Sequence, residues 1–275
     1  MNYILLRGGG DLASGVALRL HRAGFRVIIT ELPQPLAVRR SVSFAEAMYR
    51  GEIKVEGILA RQTDSAAQAF DLAHEGIIPV INDPQADILN HGPFSALIDA
   101  RLTKRPSELG LDAAPLVIGL GPGFIAGENV HAIIETQRGH TLGRVYWTGS
   151  ASADNGQPEG DPRRVLRAPA AGVLESAIEI GDHVTGGQVI AQIRTEQSDS
   201  AVEVHLVIAP IKGVLRGLIH PGLTVEKGLK IGDIDPRDDP SYCFMVSDKA
   251  LAVGGGVLEA LLSRADLRKR LWASP

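Results

Sequence analysis

Hydrophobic residues at the start of the chain change from a continuous run to a helical spacing and back again. Tyr3 to Leu6 is an apolar run typical of strands that are buried on both faces. After a glycine-rich loop, Leu12, Val16 and Leu20 recur every four residues, which predicts one face of an amphipathic helix. A second apolar run, Phe25 to Ile29, follows. The pattern predicts a β-α-β unit with two parallel strands and a right-handed crossover.

Further short elements follow in the first half of the chain. Thr63, Asp64 and Ser65 are residues that commonly open helices, and they predict a helix that ends near His74. The remaining strand candidates are residues 52–59, 77–81, 97–102, 116–118, 131–136 and 143–147. Strands that alternate with helices predict an α/β fold, which we interpret as a Rossmann-like, mostly parallel sheet domain over residues 1–149.

The next segment, residues 150–164, has the composition of a linker. It contains two prolines and two glycines, and none of its apolar residues is larger than alanine. Such a segment buries too little apolar surface to offset the entropy lost when it is ordered. We therefore place a domain boundary within it.

An internal repeat at a constant offset of 41 residues follows the linker. The identical pairs are Ala168/Ala209, Pro169/Pro210, Gly172/Gly213, Val173/Val214, Leu174/Leu215, Ile178/Ile219, Gly181/Gly222, Val184/Val225, Gly187/Gly228 and Ile190/Ile231. The glycines indicate turns, and the apolar residues between them suit short strands. The repeat predicts that residues 165–237 form a small β-sandwich of two halves related by a pseudo-two-fold axis.

Residues 238–275 form a predicted helical tail. Leu258, Leu261 and Leu262 share one face of a helix over residues 257–272, and three glycines, 254–256, precede it. We interpret these glycines as a hinge, which would let the helix pack either on the β domain or back on the α/β sheet.

Composition limits the classes of function that the chain can have. Hydrophobic residues make up 44% of the 275 residues, charged residues make up 22%, and the net charge is −4 with scattered basic residues. No nucleic-acid-binding surface is expected from such a chain. The single cysteine, Cys243, excludes an intramolecular disulfide, and the first apolar run is too short for a signal peptide or a membrane span. We expect a soluble, cytoplasmic protein that binds neither nucleic acid nor membrane.

The glycine-rich loop after the first strand is the main candidate site. Gly8, Gly10 and Ala13 match the pattern G-x-G-x-x-G/A between a strand and a helix, where glycines let a phosphate approach the helix N-terminus. Glu31 ends the second strand, where an acid typically binds ribose hydroxyls. The loop predicts a site for a nucleotide-containing ligand, and a tight turn without a ligand is the alternative. The predicted cofactor-binding residues are Gly8, Gly9, Gly10, Asp11, Ala13, Gly15, Glu31, Gly119, Gly121 and Gly123.

Other polar residues give weaker signals. The second glycine turn, residues 119–123, either binds an anion or is a plain turn. Asp83 and Asp99 lie at predicted strand ends, and Arg138 and His140 lie in a predicted hairpin turn where they could bind an anionic ligand. The sequence contains no metal-ligand spacing, nucleophile elbow or P-loop, so no catalytic or metal-binding residue is predicted.

The repeat resembles the biotinyl/lipoyl domain family over residues 165–231, chiefly in residues 168–173 and 181–188. In that family the modified lysine lies in a hairpin between the two halves. This chain has no lysine between Lys104 and Lys212. We therefore predict no covalent biotin or lipoate, and we interpret the domain as an unmodified docking or ligand-covering module.

Over nearly its whole length the chain is similar to the YqeB-type proteins, accessory factors of selenium-dependent molybdenum hydroxylase systems. The motifs that carry this resemblance are residues 7–15, 30–40, 119–124, 233–237 and 247–256. The resemblance implies cofactor maturation, with a molybdenum hydroxylase or its maturation proteins as partners. With the glycine loop, it implies an accessory factor that binds NAD(P) or a molybdopterin-type dinucleotide. An NAD(P)-dependent oxidoreductase and a non-catalytic scaffold with a vestigial nucleotide site are the alternatives.

Overall fold

The chain crosses from one packing unit to a second, returns, and does so again. The computed structural model describes residues 3–154, 156, 160–196 and 202–272. The first unit comprises Met1–Pro35, Ser43–Asn155 and Val246–Pro275, and the second comprises Leu36–Val42 and Gly156–Met245. Neither unit is therefore continuous in sequence.

A nine-stranded mixed sheet is the framework of the first unit. Its strands are β1 (Tyr3–Arg7), β2 (Arg26–Glu31), β3 (Glu52–Val55), β4 (Ile58–Thr63), β5 (Ile78–Asn82), β6 (Phe94–Asp99), β7 (Val117–Leu120), β8 (Ala132–Ile134) and β9 (Val145–Tyr146). They lie in the order β3-β4-β5-β2-β1-β6-β7-β8-β9. The inner strands are parallel, whereas β3 and β9 pair antiparallel with their neighbours at the two edges. Because β2 and β6 lie on opposite sides of β1, the sheet has a topological switch point between β1 and β6.

Helices cover this sheet and explain the apolar runs of its central strands. The described helices are α1 (Asp11–Arg22), α2 (Ala47–Arg50), α3 (Ala66–His74), α4 (Asp248–Ser263) and α5 (Ala265–Trp272). The predicted β-α-β unit is confirmed, since β1 and β2 pair in parallel on either side of α1. Every residue of β1 and β6 is buried, as expected for strands covered on both faces. The predicted start of α3 is also confirmed, because the Ser65 side chain accepts a hydrogen bond from the backbone N–H of Gln68.

The tail helix begins earlier than predicted. Ser247 caps α4, which continues through Gly254–Gly256, so the predicted glycine hinge is wrong. A Cβ at Gly15 of α1 would lie 2.6 Å from the Cβ of Ala250, and one at Gly254 would lie 2.8 Å from the carbonyl oxygen of Gly15. The glycines therefore bring α1 and α4 into close contact within the first unit.

Two four-stranded antiparallel sheets form the second unit. Their strands are β10 (Val165–Arg167), β11 (Gly172–Glu175), β12 (His183–Val184), β13 (Val189–Glu196), β14 (Val202–Ile208), β15 (Gly213–Leu218), β16 (Thr224–Val225) and β17 (Lys230–Asp235). One sheet has the order β10-β17-β15-β12 and the other has the order β14-β13-β11-β16.

The sequence repeat is confirmed by these strands. β11, β12 and β13 of the first half correspond to β15, β16 and β17 of the second. Each half gives its short strand to the other, because β12 pairs with β15 and β16 pairs with β11. Gly172 and Gly213 occupy equivalent places, since a Cβ on either would collide with a carbonyl oxygen of the neighbouring strand, that of Arg194 or Asp235. The repeat thus encodes two halves that exchange strands.

An early piece of the chain belongs to the second unit. Within residues 36–42, Nε of Arg40 donates a hydrogen bond to the carbonyl oxygen of Leu218 at 3.0 Å. The hydroxyl of Ser41 donates one to the carbonyl oxygen of Cys243 at 2.6 Å. These hydrogen bonds hold the segment in the second unit.

The predicted fold class, a Rossmann-like mostly parallel sheet domain followed by a biotinyl/lipoyl-like β-sandwich and a C-terminal helix, is wrong. The sheet of the first unit is mixed, and it is completed by a helix from the end of the chain. The second unit consists of two antiparallel sheets and includes residues from before the middle of the first unit. Contacts between distant segments decide these features, and local periodicity does not record them.

The division between residues 155 and 156 falls within the predicted linker. The boundaries 1–149, 150–164, 165–237 and 238–275 stay predictions. No helix in the part of the chain that the structure describes is long and apolar enough to cross a membrane.

Candidate functional site

The carboxyl ends of β1, β6 and β7 lie at one edge of the first unit's sheet. The first glycine loop follows β1, the second follows β7, and the segment after β6, residues 101–110, contacts both loops. A Cβ at Gly8 would lie 3.5 Å from Arg101, and one at Gly123 would lie 2.6 Å from the backbone nitrogen of Arg105. We name residues 101–110 the covering segment. Open α/β sheets commonly bind ligands at such a switch point.

Packing accounts for the first glycines of the motif. Gly8 has a φ of +92°, a conformation that side chains with a Cβ rarely adopt. A Cβ at Gly9 would lie 2.9 Å from the backbone nitrogen of Ala45, which donates a hydrogen bond to the Gly9 carbonyl. Gly10 precedes α1 and has open space around it. Gly10 therefore stays a candidate for ligand approach, whereas Gly8 and Gly9 are explained by the fold.

The Glu31 side chain binds backbone N–H groups in and near the glycine loop. Its Oε1 accepts a hydrogen bond from the backbone N–H of Gly9 at 2.6 Å, and its Oε2 accepts one from the N–H of Leu32 at 2.8 Å. Burial raises the pKa of Glu31, while these two N–H groups act to lower it. An N–H group that a phosphate would need is thus already bound to a carboxylate.

The other predicted residues of this loop have structural surroundings. Asp11 lies in the first turn of α1, where a negative charge is favourable beside the helix N-terminus. Ala13 is buried, and Gly15 lies at the crossing with α4. The predicted nucleotide-binding role of this loop is therefore corrected, because the fold is not the expected one and most of the motif serves packing.

The second glycine loop is also explained largely by packing. A Cβ at Gly119 would collide with the ring of Phe124, and one at Gly121 would lie 2.5 Å from Oγ1 of Thr136. Gly123 has a φ of +107° and lies against the backbone of the covering segment. This loop is a close-packed turn beneath residues 101–110.

Four charged residues meet at the same edge, and we name them the arginine cluster: Arg7, Asp99, Arg101 and Glu108. Arg7 ends β1 and is 1% exposed, yet it carries a full charge. One of its terminal nitrogens lies 2.5 Å from Oε1 of Glu108, and the other lies 3.6 Å from Asp99. Arg101 donates two hydrogen bonds to Asp99, at 3.0 and 2.6 Å, and also contacts Glu108 at 3.1 Å. Two guanidinium groups therefore converge on two carboxylates.

The members of this cluster differ in the direction of their pKa shifts and in whether their donors have hydrogen-bond partners. The hydrogen bond from Arg7, reinforced by Arg101 and opposed by burial, lowers the pKa of Glu108 to about 2. The Asp99 and Glu108 carboxylates raise the pKa of Arg101 despite the opposing effect of burial. Among the described residues, Nε of Arg7 is a buried donor without a hydrogen-bond partner. A buried unsatisfied donor is costly, and such atoms often mark functional sites.

Sequence reasoning placed Asp99 at this edge and missed Arg7, Arg101 and Glu108 as site residues. Arg7 and Glu108 are about 100 positions apart, and no local spacing connects them. The available signal was a charged residue, Arg7, that directly follows a buried apolar strand.

The other weakly predicted residues have partners of their own. Both carboxylate oxygens of Asp83 accept backbone hydrogen bonds from Asp87 and Ile88, so this side chain caps a short 3-10 helix. Arg138 forms a bidentate ion pair with Asp248 at 2.7 and 2.8 Å. His140 is exposed, and its carbonyl accepts a hydrogen bond from Arg144. Asp83 thus stabilises a short helix, and Arg138 joins segments that are 110 positions apart.

A second charged cluster lies in the second unit, where three arginines pair with two buried aspartates. Asp233 and Asp235 are almost fully buried on β17. Arg164 and Arg216 pair with Asp233, while Arg237 binds Asp235 at 2.5 Å and lowers its pKa. The cluster joins β17, β15 and the short 3-10 helix that precedes β10. Over residues 3–154, 156, 160–196 and 202–272, no group of three or more histidine, cysteine, aspartate or glutamate side chains could hold a metal ion.

Comparison with known proteins identifies the family. No protein-family model matches the chain. A protein of Escherichia coli K12, described as uncharacterized protein YqeB, is 47% identical over 263 residues, which is 94% of this chain. The chain is therefore of the YqeB type. This confirms the family resemblance that the sequence motifs predicted, but not its link to selenium-dependent hydroxylases. The chain spans about half the length of this relative, because the match covers 47% of it.

Several solved structures match over most of the chain at low similarity. An aspartoacylase family protein from Mesorhizobium loti has a TM-score of 0.31 at 13% identity, with 85% of this chain and 84% of that chain covered. A succinylglutamate desuccinylase/aspartoacylase from Rhodobacter sphaeroides has a TM-score of 0.29 at 16% identity, with the same coverage. Neither is described as a Rossmann or a biotinyl/lipoyl protein. Their TM-scores are too low to carry function to this chain.

Proposed function

We propose that the chain is a cytoplasmic accessory factor of a molybdenum hydroxylase system, and that it binds a small oxoanion or an oxoanion-bearing ligand at the arginine cluster. The observation that supports anion binding is Arg7, whose guanidinium is buried at the switch point of the sheet and whose Nε has no hydrogen-bond partner among the described residues. A guanidinium is a planar donor that suits carboxylates, phosphates and related oxoanions.

The geometry of Glu108 supports an anion at this position. Its carboxylate already lies between Arg7 and Arg101, and half of the side chain is exposed. An incoming oxoanion would take the hydrogen bonds that Glu108 now accepts, and Glu108 belongs to the covering segment and not to a strand of the sheet. Asp99 would stay as the structural partner of Arg101, since its carboxylate is 2% exposed.

The accessory role has a different support. The motifs over residues 7–15, 30–40 and 247–256 carry the YqeB-type resemblance, and that resemblance implies maturation of a molybdenum hydroxylase. A binding protein needs no catalytic constellation, which agrees with the absence of one in the sequence.

Anion binding is tested by isothermal titration calorimetry of the full chain with molybdate and with inorganic phosphate. Wild type should bind at least one of them. Arg101→Gln should weaken binding about tenfold to a hundredfold, the usual effect of losing a hydrogen bond to a charged group. Glu108→Gln should strengthen binding, because it removes the negative charge of the side chain that now occupies Arg7 and Arg101. Arg61→Gln is the matched control, since Arg61 forms an exposed ion pair with Glu52 in another part of the same unit.

Absence of binding in both wild type and Glu108→Gln would refute the anion site. The accessory role is tested separately, by measuring the molybdenum content of a hydroxylase that matures in cells with and without the chain. Equal content in both cells would contradict it.

A further inference from the structure

The outermost strand of the second unit exposes a row of aliphatic side chains. Val202, Val204, Leu206 and Ile208 alternate along β14, and they are 55%, 47%, 50% and 49% exposed. Alternate residues of a strand point to the same face, so the four side chains form one apolar row. Within the described part of the chain, β14 pairs only with β13 and its other edge is open.

The row lacks the features that normally protect a free strand edge. Residues 202–208 contain no proline and no lysine, and they pair with β13 over seven positions with one irregularity, near Val189. Proteins usually interrupt or charge such edges, because an open apolar strand is a template for another strand. The retained edge therefore indicates a strand-pairing surface.

We propose that β14 pairs antiparallel with β14 of a second copy of this chain, about a two-fold axis at Val204. The second copy is favoured because the strand is complementary to itself in this register. Val202 then faces Leu206 of the other copy, and Val204 faces Val204, so the apolar row continues across the interface.

The polar residues of β14 select this register from its neighbours. Glu203 and His205 lie on the opposite face from the apolar row, and their side chains are 3.5 Å apart within one strand. Pairing about Val204 places Glu203 opposite His205 of the other copy, twice over. A two-fold axis at Glu203 would oppose two carboxylates, and one at His205 would oppose two imidazoles. An imidazole N–H can donate a hydrogen bond to a facing carboxylate, whereas two facing carboxylates repel each other.

The oligomeric state of the full chain is the first test. Sedimentation equilibrium should show a concentration-dependent dimer, with dissociation in about the micromolar range expected of a small interface. Val204→Lys places two ammonium groups opposite each other on the axis and should raise the dissociation constant at least about tenfold. Val189→Lys is the matched control, because Val189 is 45% exposed on β13, away from the open edge. It should leave the dimer unchanged.

A crosslink tests the position of the axis. Facing residues of an antiparallel pair have Cα atoms about 4.5–5.5 Å apart, which a disulfide can span. Val204→Cys should therefore form a covalent dimer with oxidised glutathione, whereas Val189→Cys should not. The native Cys243 is buried and does not interfere. A wild-type chain that stays monomeric at about 100 micromolar would overturn the proposal, as would equal crosslinking of the two variants.

Discussion

Gly15 offers a direct test of whether the glycine motif serves packing or a ligand. A methyl group at this position would lie 2.6 Å from the Cβ of Ala250 and 2.7 Å from its backbone carbonyl carbon and oxygen. Backbone atoms cannot rotate out of the way, so α1 and α4 would have to separate. Overpacking of this kind costs about 1–3 kcal/mol, and the gain in helix propensity from glycine to alanine returns at most about 1 kcal/mol. We expect Gly15→Ala to lower the free energy of unfolding by about 1–2 kcal/mol.

Glycine to alanine at position 255 should change the free energy of unfolding in the opposite direction. A Cβ at Gly255 would have nothing within 4 Å, although the residue lies inside α4. Gly255→Ala should therefore stabilise the protein by about 0.5–1 kcal/mol. Urea unfolding followed by circular dichroism measures both variants without any ligand. A Gly15→Ala protein as stable as wild type would refute the packing explanation and return this residue to the candidate ligand site.

Three further predictions concern charge, connectivity and modification. Glu108 has a pKa lowered to about 2, so its carboxylate stabilises the fold above the unfolded-chain pKa of about 4.3, and this is lost as the pH falls through 2. Glu108→Gln should then be less stable than wild type at pH 7, by at most about 1 kcal/mol for a half-exposed group. The urea midpoints of the two proteins should converge as the pH falls towards 2. A difference between the midpoints that stays constant with pH would contradict this. Limited proteolysis should cut within residues 150–164, and the fragments should co-elute on a sizing column because each unit contains residues from both sides of the cut. Intact mass after co-expression with biotin and lipoate ligases should equal that of the unmodified chain, and a mass increase of either group would refute the lysine argument.

The parts of the fold that sequence could predict are those decided by near neighbours. Tyr3 to Leu6, the stripe of α1 and the cap at Ser65 all act over a few residues, and each is where the pattern placed it. The 41-residue repeat was visible because both halves need the same glycines at the same turns. The exchange of short strands between the halves depends on their contact and was not visible.

The candidate site was harder to predict because a glycine there can be required either by close packing of the backbone or by the approach of a ligand. Gly9 is required by the approach of Ala45, and Gly15 by the approach of Ala250, contacts that span 36 and 235 positions. The same pattern of glycines would suit a loop that binds a phosphate group. The pairing of Arg7 with Glu108 likewise depends on the folded path of the covering segment. The sequence pattern therefore pointed to a loop at this edge of the sheet, but it could not distinguish glycines needed for packing from glycines needed for a ligand.

The assignment of residues 36–42 to the second unit limits when that unit can be completed during translation. These residues are translated about 170 residues before β15, which supplies the hydrogen-bond acceptor for Arg40. At about 5–20 residues per second the interval is roughly ten to thirty seconds. During that time α1 also lacks α4, so the helical surface around Gly15 is uncovered on the nascent chain. Neither unit is therefore complete before the segments that finish it, β15–β17 for the second unit and α4 for the first, have been translated.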